Sequence, residues 1–119
     1  MQTSQELTPL IIAAIQEKKG RRITAIDLTG IESATAPEFV ICEGRSSSQV
    51  AAIADGIRDS LAKEIHLKPY HYDGYRNSQW IILDYGSVMV HVFMPEFREF
   101  YDLEGLWCDG KTTRLPDED

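Results

Sequence analysis

The chain has 119 residues, 12 lysines and arginines against 19 aspartates and glutamates, and a formal net charge of −7. That length holds one domain, the 43% hydrophobic and 26% charged content is that of an ordinary globular protein, and no run approaches the ~18 apolar residues a membrane span requires. The acidic balance disfavours free nucleic acid, whose phosphates would repel it, and favours a basic protein partner.

The first element is a helix. Leu7, Leu10, Ile11, Ala14 and Ile15 recur at helical spacing and form one apolar stripe. Two starts fit: Thr3 with Glu6 as a capping box, or Thr8 capping a helix that opens on Pro9. Lys18 and Lys19 suit its negative end, and Gly20 suits the stop. The N-terminus has no basic segment followed by an apolar core, so no secretory signal is expected.

Residues 22–29 alternate apolar and polar and read as a strand, 30–37 as a loop, and 38–43 as a second strand. Ser46 with Gln49 then caps the clearest helix, whose buried stripe is Val50, Ile53, Ala54, Ile57, Leu61 and Ile65. Strand, glycine turn and helix in succession point to an α/β sheet. Residues 69–72 fit a short strand and 73–79 a polar loop. Trp80 to Phe93 splits into two apolar strands around Tyr85-Gly86-Ser87, a hairpin at the centre of the sheet. Pro95 opens a last helix, with Phe97, Phe100, Tyr101, Glu104 and Trp107 at helical spacing. The domain is expected over residues 1–107, and residues 108–119 as an acidic, flexible tail.

Chemistry-bearing patterns are sparse. Cys42 and Cys108 form no C-x-x-C pair, which excludes a disulfide framework or zinc spacing and fits a reducing, cytoplasmic compartment. Gly44-Arg45-Ser46-Ser47 has the look of a phosphate cradle but lacks the P-loop lysine, and a serine helix cap accounts for it. A glycine-serine turn after a strand is also similar to the nucleotidyltransferases. A magnesium-dependent enzyme of that kind would have to use Ser46, Asp27 and Asp84, because no D-x-D pair follows the helix. His91 has no nucleophile motif and no second histidine at metal spacing. It reads as a sheet-face residue, with Asp84 across the hairpin as a candidate partner. Arg98, Asp102 and Glu104 read as an exposed ion-pair face.

Three stretches together resemble the ribosomal silencing factor family (RsfS, also called Iojap-like). They are ITAIDLTG with FVICEG, the run from Gly44 through Gln49, Asp55 and Ile57, and the long pattern from Trp80 to Phe93 continued by Arg98 to Trp107. Pro37-Glu38 and Ser87 depart from the pattern at positions where the family commonly has aspartate-tyrosine and aspartate. The resemblance implies a single α/β domain with a mixed sheet flanked by helices, nucleotidyltransferase-like without the catalytic residues. It implies no enzymatic activity, no cofactor and no metal. The implied partner is the large ribosomal subunit, met through its ribosomal protein numbered fourteen at the intersubunit face, where occupancy blocks subunit joining and represses translation. Free members are often homodimers, and no free nucleic acid or membrane is expected as a partner. The expected partner-binding residues are Trp80, Asp84, Tyr85, His91 and Met94, with Arg98, Tyr101 and Glu104 on the following helix. Strand alternation puts Trp80 and Asp84 on one face and Tyr85 on the other unless the turn reorients it.

Overall fold

Thr3 settles the start of the first helix: its hydroxyl accepts from the Glu6 N–H, and α1 runs over Ser4–Glu17 with Pro9 inside it. The computed structural model describes residues 3–117. The left-handed residue that ends α1 is Lys19 (φ 64°) and not Gly20. Gly20 serves close approach instead, because a Cβ there would run into the Ile15 side chain. The first strand, β1, spans Arg21–Asp27, and β2 spans Glu38–Glu43. Ser46 accepts from the Gln49 N–H to open α2, Ser47–Ile65, while the Gln49 side chain accepts from the Arg45 N–H, one residue further back than a capping box requires.

The remaining strands are β3 (His71–Asp73), β4 (Trp80–Asp84), β5 (Val88–Phe93) and β6 (Lys111–Arg114). They join β1 and β2 in one six-stranded sheet of order β3-β4-β5-β2-β1-β6. The pairing of β2 with β5 is parallel and the others are antiparallel, so the sheet is mixed. Segment 108–119, expected as a flexible tail, contains β6, which lies against β1 with Thr24 opposite Arg114 and Asp27 opposite Lys111. Backbone pairing, which side-chain pattern does not report, holds it there; Glu118 and Asp119 lie outside the described residues. The last helix is also divided. A left-handed Asp102 (φ 45°) breaks it into α3, Pro95–Tyr101, and α4, Leu103–Leu106, and the Asp102 carboxylate accepts from the Gly105 N–H to start the second.

The two sheet faces are unequal. Ile23, Val40, Cys42, Ile81, Leu83, Val90 and Val92 point to one face and pack on the stripes of α1 and α2, forming the main core. The expected stripe residues are buried, with Leu10 and Ile65 at its margin. On the other face, Ile26, Phe39, Ile41 and Phe93 form a smaller cluster. Residues from the loop after β1 and from α3 and α4 cover it only in part.

Candidate partner-docking face

This second face carries most of the residues singled out from the sequence. Registry aligns Trp80 with Phe93, Ile82 with His91 and Asp84 with Met89, so alternate residues of β4 and β5 stand side by side upon it. Trp80 stacks on Phe93 with ring centroids 5.0 Å apart and 20° between planes. Tyr101, from the end of α3, also lies against the indole, with ring centroids 4.7 Å apart and 41° between planes. Phe100, edge-on to Tyr101 at 5.1 Å, continues the surface outward and is 79% exposed. Trp80 is therefore a half-buried member of an apolar patch that extends to the exposed Tyr101 and Phe100. Gly74 supports it from behind: its φ is +97°, and a Cβ there would collide with the Trp80 carbonyl oxygen.

His91 lies beneath this patch and is 3% exposed. The Trp80 indole N–H donates to His91 Nδ1 at 3.1 Å. The expected pairing with Asp84 does not form, because Ile82 and not Asp84 is opposite His91 in the register. Asp84 instead accepts from the Gly86 N–H at 2.8 Å and closes the hairpin, its carboxylate half-buried at the end of the sheet. Burial pushes the His91 imidazole down to about 3, so it is neutral at every physiological pH.

Arg98 is buried, not on an exposed ion-pair face. Its guanidinium donates to Glu104 Oε1 (2.9 Å), Glu43 Oε1 (3.2 Å), Thr24 Oγ1 (2.9 Å) and the Arg22 carbonyl (2.7 Å). It therefore fastens α3 and α4 to β1 and β2, and Glu104 is held half-buried as its partner. Tyr85 points to the helical face, as alternation allowed, and is 3% exposed. Met94, half-buried, precedes α3 as its N-cap and packs at the edge of the main core. Of the eight residues expected at a partner surface, Trp80, Asp84, Met94, Tyr101 and Glu104 reach solvent at least in part, His91 and Arg98 shape the face from inside, and Tyr85 is buried on the opposite side of the sheet. Ile82, Met89 and Phe100 were missed. Alternation from Trp80 points to Ile82 and the strand register to Met89, whereas the helical spacing shared by Phe97, Phe100 and Tyr101 does not tell that Phe100 faces water.

The residues an enzyme of the nucleotidyltransferase kind would need are not gathered. Asp84 pairs across the sheet with Met89 and Phe39, and Asp27 belongs to the next row at the far side of β2. The two are separated by three strand spacings, about 14 Å, and alternate to opposite faces. Ser46 lies beyond the opposite end of β2, engaged as a helix cap. Among the described residues, no group of three or more His, Cys, Asp or Glu side chains is placed to hold a metal ion.

The mixed sheet thus has one face buried under helices and the other carrying a partly open aromatic patch. The family described as "Ribosomal silencing factor during starvation" matches residues 1–119. Ribosomal silencing factor RsfS of Halalkalibacterium halodurans is 38% identical over 113 residues, covering 95% of both chains. Its counterpart in Bacillus subtilis is 38% identical over 111 residues, covering 93% of this chain and 92% of that one. A crystal structure of a Chromobacterium violaceum protein superposes with a TM-score of 0.82 at 31% identity, covering 89% of this chain and 87% of the other. The chain belongs to the ribosomal silencing factor family, whose members are regulatory factors and not enzymes.

Proposed function

We propose that this protein binds the large ribosomal subunit through ribosomal protein fourteen and blocks the joining of the small subunit, so repressing translation in the cytoplasm. The observation that carries the reading is the aromatic patch of Trp80, Tyr101 and Phe100 on the open sheet face. Blocking by occupancy needs a stiff surface and no reacting group, and strand-borne side chains backed by a packed core supply that stiffness. Trp80 and Tyr101 are of the residue types that dominate interface energies, and Met94 offers an adaptable neighbour. Asp84 and Glu104 add acidic groups suited to a basic ribosomal protein. The net charge of −7 speeds that encounter and makes it weaken with salt. Free of the ribosome, a second copy is the natural cover for the same apolar rim, so the isolated protein is read as a homodimer.

The test is co-sedimentation with separated subunits, alongside a subunit-joining assay. The native protein should pellet with large subunits only and inhibit joining. Trp80→Ala should weaken binding by about 30-fold, the scale of an interface hot spot, with its urea midpoint measured in parallel. Failure of the native protein to bind large subunits at low salt would overturn the reading.

A further inference from the structure

The densest basic run of the sequence, Lys18-Lys19-Gly20-Arg21-Arg22, has no part in the docking face. It covers the turn between α1 and β1 and the first two residues of β1, and the turn between β2 and α2 brings Arg45 beside it. Lys19, Arg21 and Arg45, together with Gln49, line a cleft of about 400 Å³, and none of the lining side chains is acidic. In a chain with net charge −7 this is a local inversion of sign.

The two turns are tied to each other. The Gln49 amide donates to the Lys18 carbonyl at 3.3 Å and the Lys19 carbonyl at 3.2 Å, while its oxygen accepts from the Arg45 N–H at 2.7 Å. The cations therefore project from fixed backbone, which lowers the entropy lost when they engage a ligand. At the margin of the cleft the chain's own carboxylate shows what the corner attracts. Asp117 accepts from the backbone N–H of Arg22 at 2.8 Å and pairs with the Arg21 guanidinium at 3.5 Å.

Position relates this corner to the docking face. A single cross-strand row runs from Trp80 through Phe93 and Glu43 to Arg21. Three strand spacings, about 14 Å, separate its ends. A partner seated on Trp80 would leave the basic corner facing whatever adjoins that partner on the subunit.

We infer that the corner formed by Lys19, Arg21 and Arg45 binds the phosphate backbone of ribosomal RNA beside the docked ribosomal protein. The inference rests on the docking reading above. Guanidinium forks and an ammonium match phosphate oxygens, and the Asp117 carboxylate held at the margin shows that the corner takes an oxyanion. The overall negative charge keeps such binding weak for free RNA. Docking supplies the high effective concentration that makes a weak second contact count.

The experiment compares native protein with the Lys19→Glu/Arg45→Glu variant, measuring affinity for intact large subunits and for isolated ribosomal protein fourteen over a salt series. A Lys63→Glu/Lys68→Glu variant controls for the same charge change elsewhere on the surface, and urea midpoints check folding. The corner variant should bind subunits at least ~10-fold more weakly at low salt, with a shallower salt slope by about two, while its affinity for the isolated protein is unchanged. Equal losses on subunit and isolated protein would place the contact on protein and overturn the inference, as would an equal loss in the control or no loss at all. If native protein fails to bind subunits, the docking reading itself falls, and that arm separates the two failures.

Discussion

The Trp80 indole N–H donates to His91 Nδ1 at 3.1 Å, and this bond fixes both partners. It holds the indole in contact with Phe93 and Tyr101, and it places the neutral histidine's proton on Nε2, which is buried without a partner. Burial depresses the folded-state value to about 3, whereas in the unfolded chain the imidazole titrates near its ordinary 6.5. Below that ordinary value the unfolded chain takes up a proton that the folded one refuses, so stability is full above it and falls as pH drops toward 3. Between about pH 7 and about pH 5 this group should cost roughly 2 kcal/mol in urea unfolding. His91→Asn, which keeps an acceptor for the indole but does not titrate, should lack that loss. An undiminished loss in the variant would assign it to other groups.

Tyr85 gives a prediction of opposite sense. Its ring is buried against the helices, its hydroxyl is without a hydrogen-bond partner, and burial pushes its pKa upward. Removing an unsatisfied buried hydroxyl relieves its desolvation cost, so Tyr85→Phe should be neutral or stabilising by up to about 1 kcal/mol. Subunit binding should be unchanged, because the residue faces away from the patch. A loss of binding at full stability would show that Tyr85 reaches a partner after all.

Arg98→Ala should be among the most damaging single changes. It leaves Glu43 almost buried beside Thr24 with no buried guanidinium, and frees α3 and α4 from the sheet. Truncating one member of a buried ion pair costs about 3–5 kcal/mol. Chemical denaturation measures this directly, and a cost below about 1 kcal/mol would mean that the network contributes little.

The thiols differ in the same way as the two sheet faces. Burial pushes Cys42 up to about 12, while Cys108 is exposed. A thiol reagent at neutral pH should modify Cys108 alone in the folded protein and both cysteines after unfolding. Rapid modification of Cys42 under native conditions would indicate opening of the sheet between α1 and α2.

Periodicity made the helical half of this fold legible. The stripes of α1 and α2 and the alternating runs of β4 and β5 each announce a buried face, and those faces are where the core lies. Three features left no such trace. Lys111-Thr112-Thr113-Arg114 has no apolar residue to bury, so β6 is recognisable only through its pairing with β1. The break at Asp102 depends on a left-handed aspartate, a conformation residue type only weakly predicts. Arg98 looks like a surface cation until Thr24 and Glu43, distant in sequence, arrive beside it. Within the candidate face, alternation correctly separated Trp80 and Asp84 from Tyr85. The Trp80–His91 bond escaped because it links residues two positions out of register.

The position of β6 has a consequence for the order in which the protein is made. During synthesis β1 emerges early, yet the strand that seals its outer edge is the last to follow. Until then the growing chain offers an unpaired strand edge, open to pairing with another molecule. A chain cut after Trp107 would keep both cores, less the marginal Leu115, and the aromatic patch while leaving that edge permanently bare. Its failure should appear as aggregation before any loss of ribosome binding.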